Sequence, residues 1–392
     1  MYHDDWVSFQ PDEVTLRRLV VKRISIAILI FCVGFASAAW AQQRAGECSN
    51  SWTEFHRTNM SRWNPCEKTL DVKNVHNLVL KWMYKDGGSP AAIANGVAFV
   101  GSNDGSGIAM SALNAKTGST LWSTRVGSLI SSSPAVANGM VYFDDPGMNV
   151  YALDAKTGAQ HWSFTTGNFA YSSPTVANGV VYVGSGNSNV GDLYALDAKT
   201  GAQLWAYPIA VYSSPAVANG VVYAASTDGN VYALDAKTGA KLWSYYGAGG
   251  YSSPAVANGV VYSTAGNNVN ALNANTGALL WTFQTGNMTE SSPAVANGVV
   301  YVGADDSNLY ALDGKTGAKL WSARLEHYVD SPAVANGVVY VASSFNVYAV
   351  NARTGAKLWV YKVGYNVYGA AVANGMVYIG QAAGISFAFG LK

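Results

Sequence analysis

Two short signatures recur along this 392-residue chain with a period near 40 residues, and together they leave little choice of fold. Asn-Gly follows a small apolar pair at Asn95, Asn138, Asn178, Asn219, Asn258, Asn297, Asn336 and Asn374. A tryptophan recurs at Trp82, Trp122, Trp162, Trp205, Trp243, Trp281, Trp321 and Trp359, with spacings of 40, 40, 43, 38, 38, 40 and 38. Both series have eight members. A unit such as residues 291–321, "SSPAVANGVVYVGADDSNLYALDGKTGAKLW", reads as four strands. Ser-Pro-Ala-Val-Ala leads into Asn-Gly, the strongest short hairpin signal because both residues tolerate positive φ. Val-Val-Tyr-Val follows, then a variable loop, Tyr-Ala-Leu-Asp, a Lys-Thr-Gly turn and Ala-Lys-Leu-Trp. Four antiparallel strands per repeat of about 40 residues make a propeller blade. The 41 glycines and 24 tyrosines agree with many short strands joined by tight turns.

The ends of the chain dictate how such a ring closes. The eighth unit stops after a third strand near "ISFAFGLK" with no tryptophan, whereas "NLVLKWMYKDGG", with Trp82, is a fourth strand with no first three before it. Pairing the two completes blade eight and removes two exposed sheet edges. The expected fold is therefore all-β, an eight-bladed propeller over residues 78–392 closed by an N-terminal strand, preceded by a leader at 42–77.

Residues 1–41 read as an export signal: bases end at Arg23, an apolar run covers 24–35, and Ala39 and Ala41 offer small residues for cleavage before Gln42. Left uncleaved, the run would nearly span a bilayer. Either way the domain is expected outside the cytoplasm, periplasmic or secreted, with no stable membrane span once the signal is removed. "RRLVVK" at 17–22 also resembles a twin-arginine signal, so the export route stays open between that and the general secretory one. Cys32 sits inside the apolar run without the small residues of a lipidation site. The remaining cysteines, Cys48 and Cys66, are most simply a disulfide in an oxidising compartment, with a reactive thiol pair as the alternative. A net charge of +1 gives no electrostatic footprint for nucleic acid.

Ala-x-Asp/Asn-x-x-Thr-Gly-x-x-x-Trp occurs seven times in full, from Ala112 to Trp122 through to Ala349 to Trp359, and resembles the tryptophan-docking motif of quinoprotein-type eight-bladed propellers. The opening "SWTEFHRTNMSRWNPCEKTL" also resembles the leader before the first blade of many such proteins. The resemblance implies that the eight tryptophans pack between blades. It does not choose a function, because that family includes alcohol and sugar dehydrogenases using pyrroloquinoline quinone and the outer-membrane assembly lipoprotein BamB.

Strand alternation puts the Asn-Gly and Lys-Thr-Gly turns on one face, nearly constant around the ring, with Lys116, Lys156, Lys199, Lys237, Lys315 and Arg353 in matching positions. The other face varies. Two residues before the Ser of Ser-Pro stand Ser131, Tyr171, Tyr212, Tyr251, Glu290 and Val329; blade seven adds His327, Tyr328 and Asp330, and blade eight Tyr365, Asn366 and Tyr368. Tyr171, Tyr212, Tyr251, Glu290, His327, Asp330 and Tyr368 are thus the candidate mouth for a ligand or partner. The ordinary alternative is that these are plain strand and solvent-facing residues.

Catalysis finds little support. The dehydrogenases of the resembled family imply an adjacent Cys-Cys pair and a calcium site of Glu, Asn and Asp on a longer chain; this sequence has no Cys-Cys and short loops. The five histidines show no metal-ligand spacing, so no metal is expected. No Gly-x-Ser-x-Gly elbow occurs either. The expected role is a monomeric binding or scaffold module for another envelope or secreted protein, without a cofactor. A dehydrogenase using pyrroloquinoline quinone with calcium, or a propeller binding a small ligand or polysaccharide, is the alternative.

Overall fold

The computed structural model of the chain describes residues 51–55, 57, 61–103, 108–127, 130, 132–187, 190–364, 366–381 and 384–392. The expected export signal, Cys48, Ser131 and Tyr365 lie outside the described residues. The described chain forms eight four-stranded antiparallel sheets in sequence, one of which gains a fifth, two-residue strand from the leader. Blade four is representative: Ala216–Ala218, Val221–Ala225, Asn230–Asp235 and Lys241–Tyr246. First strands of consecutive blades touch in order around the axis, and Ala92–Ala94 of blade one touches Val367–Ala373 of blade eight. Leu78–Tyr84 pairs antiparallel with Ile385–Leu391, the closure expected from the chain ends. First strands are shorter than expected, only Ala-Val-Ala in most blades, so the Ser-Pro pairs and the tyrosines before them precede the strand.

The turns explain why the repeats look alike. All eight Asn-Gly pairs hold both residues at positive φ, 43 to 54° for Asn and 73 to 79° for Gly. In the second turn Asp235 Oδ1 accepts from the Lys237 and Thr238 backbone N–H groups at 3.1 and 2.8 Å and from the Thr238 hydroxyl at 2.8 Å. Four acids of this type, Asp154, Asp197, Asp235 and Asp313, have lowered pKa values, first because a threonine hydroxyl donates to each carboxylate. Gly239 then turns the chain at φ 72°.

Each tryptophan binds the next blade. Trp243 Nε1 donates to Ala274 O at 2.9 Å, and Trp82, Trp122, Trp162, Trp205, Trp281 and Trp321 make the same bond to Ala115, Ala155, Ala198, Ala236, Gly314 and Ala352. Trp359, facing the blade made of both chain ends, donates to Leu78 O at 3.0 Å. The indole also covers the turn glycine of that next blade: a Cβ on Gly277 would stand 2.6 Å from the Trp243 ring. A register shift beside Trp243, between Ala233 and Leu234, gives the strand the local bend that aims the ring sideways. Burying an indole of this size contributes roughly 4–6 kcal/mol gross at about 25 cal/mol/Å², an upper bound.

Nearer the variable face a serine belt links the blades. The backbone N–H of Ser133 donates to Ser173 Oγ, and the same bond runs from Ser173 to Ser214, Ser214 to Ser253, Ser253 to Ser292 and Ser292 to Ser331, at 2.8 to 3.1 Å. These serines are the residues before proline in blades two to seven. Their repetition therefore has a physical cause apart from the turns.

Trp243→Ala removes a buried indole and its inter-blade bond and is expected to cost about 3–5 kcal/mol. Leu242→Ala, one residue earlier and 53% exposed, is expected to cost under about 0.5 kcal/mol. Denaturant titration compares the two; similar losses would mean that the indole does not hold the blades together.

Candidate functional site

The axis of the ring is lined by the leader, a feature with no signature in the repeats. Trp52 and Ile93 of blade one exchange both backbone hydrogen bonds at 2.6 and 2.8 Å. Thr53 O accepts the Val136 N–H of blade two at 2.7 Å, and Glu54 Oε2 accepts the Val176 N–H of blade three at 3.1 Å. Farther along, Ser61 O takes the Val295 N–H of blade six and Arg62 O that of Val334 in blade seven. Trp63–Asn64 pairs parallel with Val334 and Ala335, and Asn64 Nδ2 donates to Val372 O of blade eight at 2.8 Å. Residues 52–54 thus meet blades one to three in order, and residues 61–64 meet blades six to eight. Each takes the N–H or C=O that a first strand turns to the axis, groups that would otherwise be unpaired inside the ring.

Arg62 joins the two ends of this path. It is 1% exposed, and its guanidinium donates to Pro332 O at 2.8 Å, Phe55 O at 2.9 Å, Ala370 O at 3.2 Å and Ser331 O at 3.3 Å. It also lies 4.3 Å from the Phe55 ring centroid and 5.8 Å from that of Trp52. Burial lowers its pKa to about 10, opposed by the nearby negative charge of Asp330, so it remains a cation at neutral pH. The serine belt ends here, because Gly369 stands in blade eight where blades two to seven carry serine. Asp330 fills the gap, its Oδ2 accepting the Gly369 N–H at 2.7 Å.

The residues expected at the mouth fall into two groups. Tyr171 and Tyr212 stack with centroids 5.4 Å apart at 20°, and Tyr212 meets Tyr251 at 5.6 Å and 55°. Phe169, not singled out from the sequence, extends the row at 5.9 Å from Tyr171. Glu290 follows on the next blade and is exposed. In the second group the Tyr368 hydroxyl donates to Gly88 O, and burial, with Asp330 and Tyr328 adding to it, pushes the Tyr368 pKa up to about 12. His327, at φ 59°, is exposed with its ring edge-on to Phe345 at 5.9 Å.

Two acids that the sequence analysis did not single out are buried in blade two: the strand Met140–Asp145 includes Asp144 and Asp145, and a short turn leads from it to Asn149. Asp145 caps that turn, accepting from Asn149 N at 3.0 Å and from the Tyr151 hydroxyl at 3.2 Å. Asp144 is 1% exposed and, among the described residues, neither carboxylate oxygen has a hydrogen-bond partner. Burial pushes its pKa to about 8; the nearby Ser132 hydroxyl, which donates to the Asp144 backbone carbonyl at 3.4 Å, opposes this only weakly. Glu54 is likewise pushed to about 8 by burial, opposed by the Val176 N–H. Comparison of repeats carries a signal for Asp144: Gly101, Gly184, Ala225, Thr264, Gly303, Ala342 and Gly380 fill the same place in the other blades.

Ring, turns and inter-blade tryptophans define an eight-bladed propeller of the pyrroloquinoline-quinone repeat type. The chain belongs to the family described as outer membrane protein assembly factor BamB, whose pattern it matches over residues 52–170, 169–253, 247–374 and 316–389. No curated protein matches the sequence. Among solved structures, a quinohemoprotein alcohol dehydrogenase from Pseudomonas putida superposes with a TM-score of 0.76 at 16% identity, covering 87% of this chain and 80% of that one. BamB from Moraxella catarrhalis gives 0.68 at 20% identity, covering 80% of this chain and all (100%) of that one. A computationally designed protein gives 0.70 at 17%, with 81% and 100% covered. At these identities the likeness is one of fold.

Two outcomes are expected from the buried charges. Arg62→Met strips the donor from four carbonyls and should cost about 2–4 kcal/mol. The loss is read as a lower denaturant midpoint or, if the leader leaves its seat alone, as new trypsin cleavage at Arg57; wild-type behaviour in both assays would mean that backbone pairing suffices. For Asp144 the folded pKa is raised, so the native state keeps a proton that the unfolded chain releases, and stability falls as pH rises from about 4 to about 8. Asp144→Ala should therefore stabilise by about 1–3 kcal/mol near pH 8, and by much less near pH 4. Equal gains at both pH values would contradict a desolvated carboxyl at this place.

Proposed function

We propose that the protein is a binding module of the cell envelope, periplasmic or secreted, that recognises another envelope or secreted protein through its variable face, as a monomer. The observation that carries this reading is the row of Phe169, Tyr171, Tyr212 and Tyr251. Phe169, Tyr171 and Tyr251 are exposed and Tyr212 is half-buried between its neighbours, and such contiguous aromatic surface marks recognition sites. Membership of the BamB family supports the reading, since that name denotes a protein of outer-membrane assembly. An export signal at 1–41 and a Cys48–Cys66 disulfide tying down the leader belong to the same proposal. Among the described residues no helix is long and apolar enough to cross a membrane.

The dehydrogenase alternative asks for pyrroloquinoline quinone and calcium. Calcium needs six to eight oxygens around one point. Among the described residues no three His, Cys, Asp or Glu side chains converge as a metal set. Most polar groups facing the axis are already committed, Glu54 Oε2 to Val176, Asn64 Oδ1 to the Cys66 N–H at 3.0 Å and Arg62 to four carbonyls, which leaves Glu54 Oε1 as a single oxygen, far short of a calcium set. The residues present do not fit this cofactor pair, and no chemistry through it is derived.

Site-specific photo-crosslinking tests the face. A benzophenone side chain at position 251 is expected to give a discrete adduct with an envelope protein, lost on Tyr212→Ala; the same group at position 237, on the constant face, should give none. Adducts from 237 and none from 251 would overturn the reading.

A further inference from the structure

The aromatic patch lies in an arc of the variable face that carries acids and no bases. Between residues 166 and 306 the chain has only three basic residues, Lys199, Lys237 and Lys241, in or beside the Thr-Gly turns of the opposite face. The loops and links of the variable face over the same stretch hold Asp192, Asp228, Glu290, Asp305 and Asp306. Of the bases of this face, Lys85, Arg125 and Lys362 belong to blades eight, one and seven, and Arg324 ends the outermost strand of blade six, at the far edge of the acidic arc.

Some of these acids serve the fold. Asp228 accepts from the Tyr232 hydroxyl at 2.7 Å and from Asn230 N at 2.9 Å, and Asp306 from Gly286 N and Asn308 N at 2.9 Å. Donors to a carboxylate favour its ionised form. Glu290 and Asp305 are exposed, and their side chains make no hydrogen bond among the described residues. No local structural task accounts for them.

We propose that the segment seated on this patch is cationic, an arginine- or lysine-bearing stretch of a partner polypeptide; the proposal rests on the variable face being the binding face. A guanidinium gains from an aromatic face and from a carboxylate beside it, and the arc offers both. Tyr251, 62% exposed, has the most open ring of the row. A sugar platform is less well served, because Tyr171 and Tyr212 stack on each other and close the faces a pyranose would need. Repulsion from Lys199 and Lys237 disfavours the opposite face for the same segment.

Fluorescence anisotropy with labelled nona-arginine tests this, with nona-glutamate and cellohexaose as comparisons. Nona-arginine alone is expected to bind, and to weaken on raising salt from about 50 to about 300 mM. Glu290→Lys with Asp305→Lys should weaken it by about tenfold or more, Tyr251→Ala should also weaken it, and Lys237→Glu should not. Thermal melts check that the variants stay folded, which their exposure favours. Equal binding by wild type and the charge-reversed variant overturns the proposal, as does binding of cellohexaose or nona-glutamate in place of nona-arginine. If nona-arginine fails while the adduct at position 251 still forms, the cationic partner is wrong and the face is right. If adducts form only from position 237, the binding-face reading itself has failed.

Discussion

One carbonyl per blade holds the ring together, and it is used twice. Ala274 O accepts the Trp243 indole N–H at 2.9 Å and the Tyr223 hydroxyl at 3.1 Å, both from the preceding blade, with the two rings 5.9 Å apart. The same double use recurs at Ala115, Ala198, Ala236, Gly314 and Ala352. A carbonyl has two lone pairs, and a buried one left half-used is a small cost repeated around the ring. Filling both ties the second and fourth strands of one blade to the turn of the next, so no blade can rotate without breaking polar bonds as well as apolar contacts. Blade eight has no such turn, being built from both chain ends. There Leu78 O serves Trp359, while the Tyr340 hydroxyl is buried with no partner among the described residues. At Ala155 only Trp122 donates, because Phe99 stands where the other blades have tyrosine, so six interfaces carry both bonds.

This dependence on specific side chains is why the fold was legible in the sequence. Asn-Gly, Asp-x-x-Thr-Gly and tryptophan recur because a positive φ, a carboxylate cap and an indole cannot be supplied by other residues without loss. The path of the leader was not legible, for the opposite reason. Most of its bonds to the first strands run from backbone to backbone, which any residue can make, and residues 51–64 have no period to compare. Arg62, Asn64 and Glu54 commit side chains to that path, and in sequence each looks like an ordinary polar residue of an exposed leader. Asp144 was hidden by the assumption that variable positions lie in loops. The tyrosine row was visible because three blades carry the same departure at one position, whereas Phe169, two residues before Tyr171, has no counterpart in the blades that follow.

The two faces diverge because they answer to different constraints. On the constant face the turn residues are consumed by the backbone: Asp235 is held by its own turn and Gly239 by the ring of Trp205, so little can change there without loosening an interface. On the variable face the loops between second and third strands need only a return of the chain, and their residues can drift or be selected. The same ring underlies an alcohol dehydrogenase, an outer-membrane assembly protein and a designed protein, so the ring itself decides nothing about chemistry. What distinguishes this chain lies on its axis and on one of its rims.

On the axis, residues 52–54 and 61–64 of the leader have taken inward-facing backbone groups of the first strands, and the leader buries Glu54, Arg57, Arg62 and Glu67. Burying charge is expensive unless geometry repays it, and Arg62 is repaid by four carbonyls while Glu54 is repaid at one oxygen only. A segment so anchored is specified in register: sliding it by one residue would move Arg62 away from the gap that Gly369 leaves in the serine belt and would put a different group opposite Asp330. The arginine therefore reads a blade that departs from the repeat, which gives a leader without a period of its own a fixed place on a ring of nearly equivalent blades.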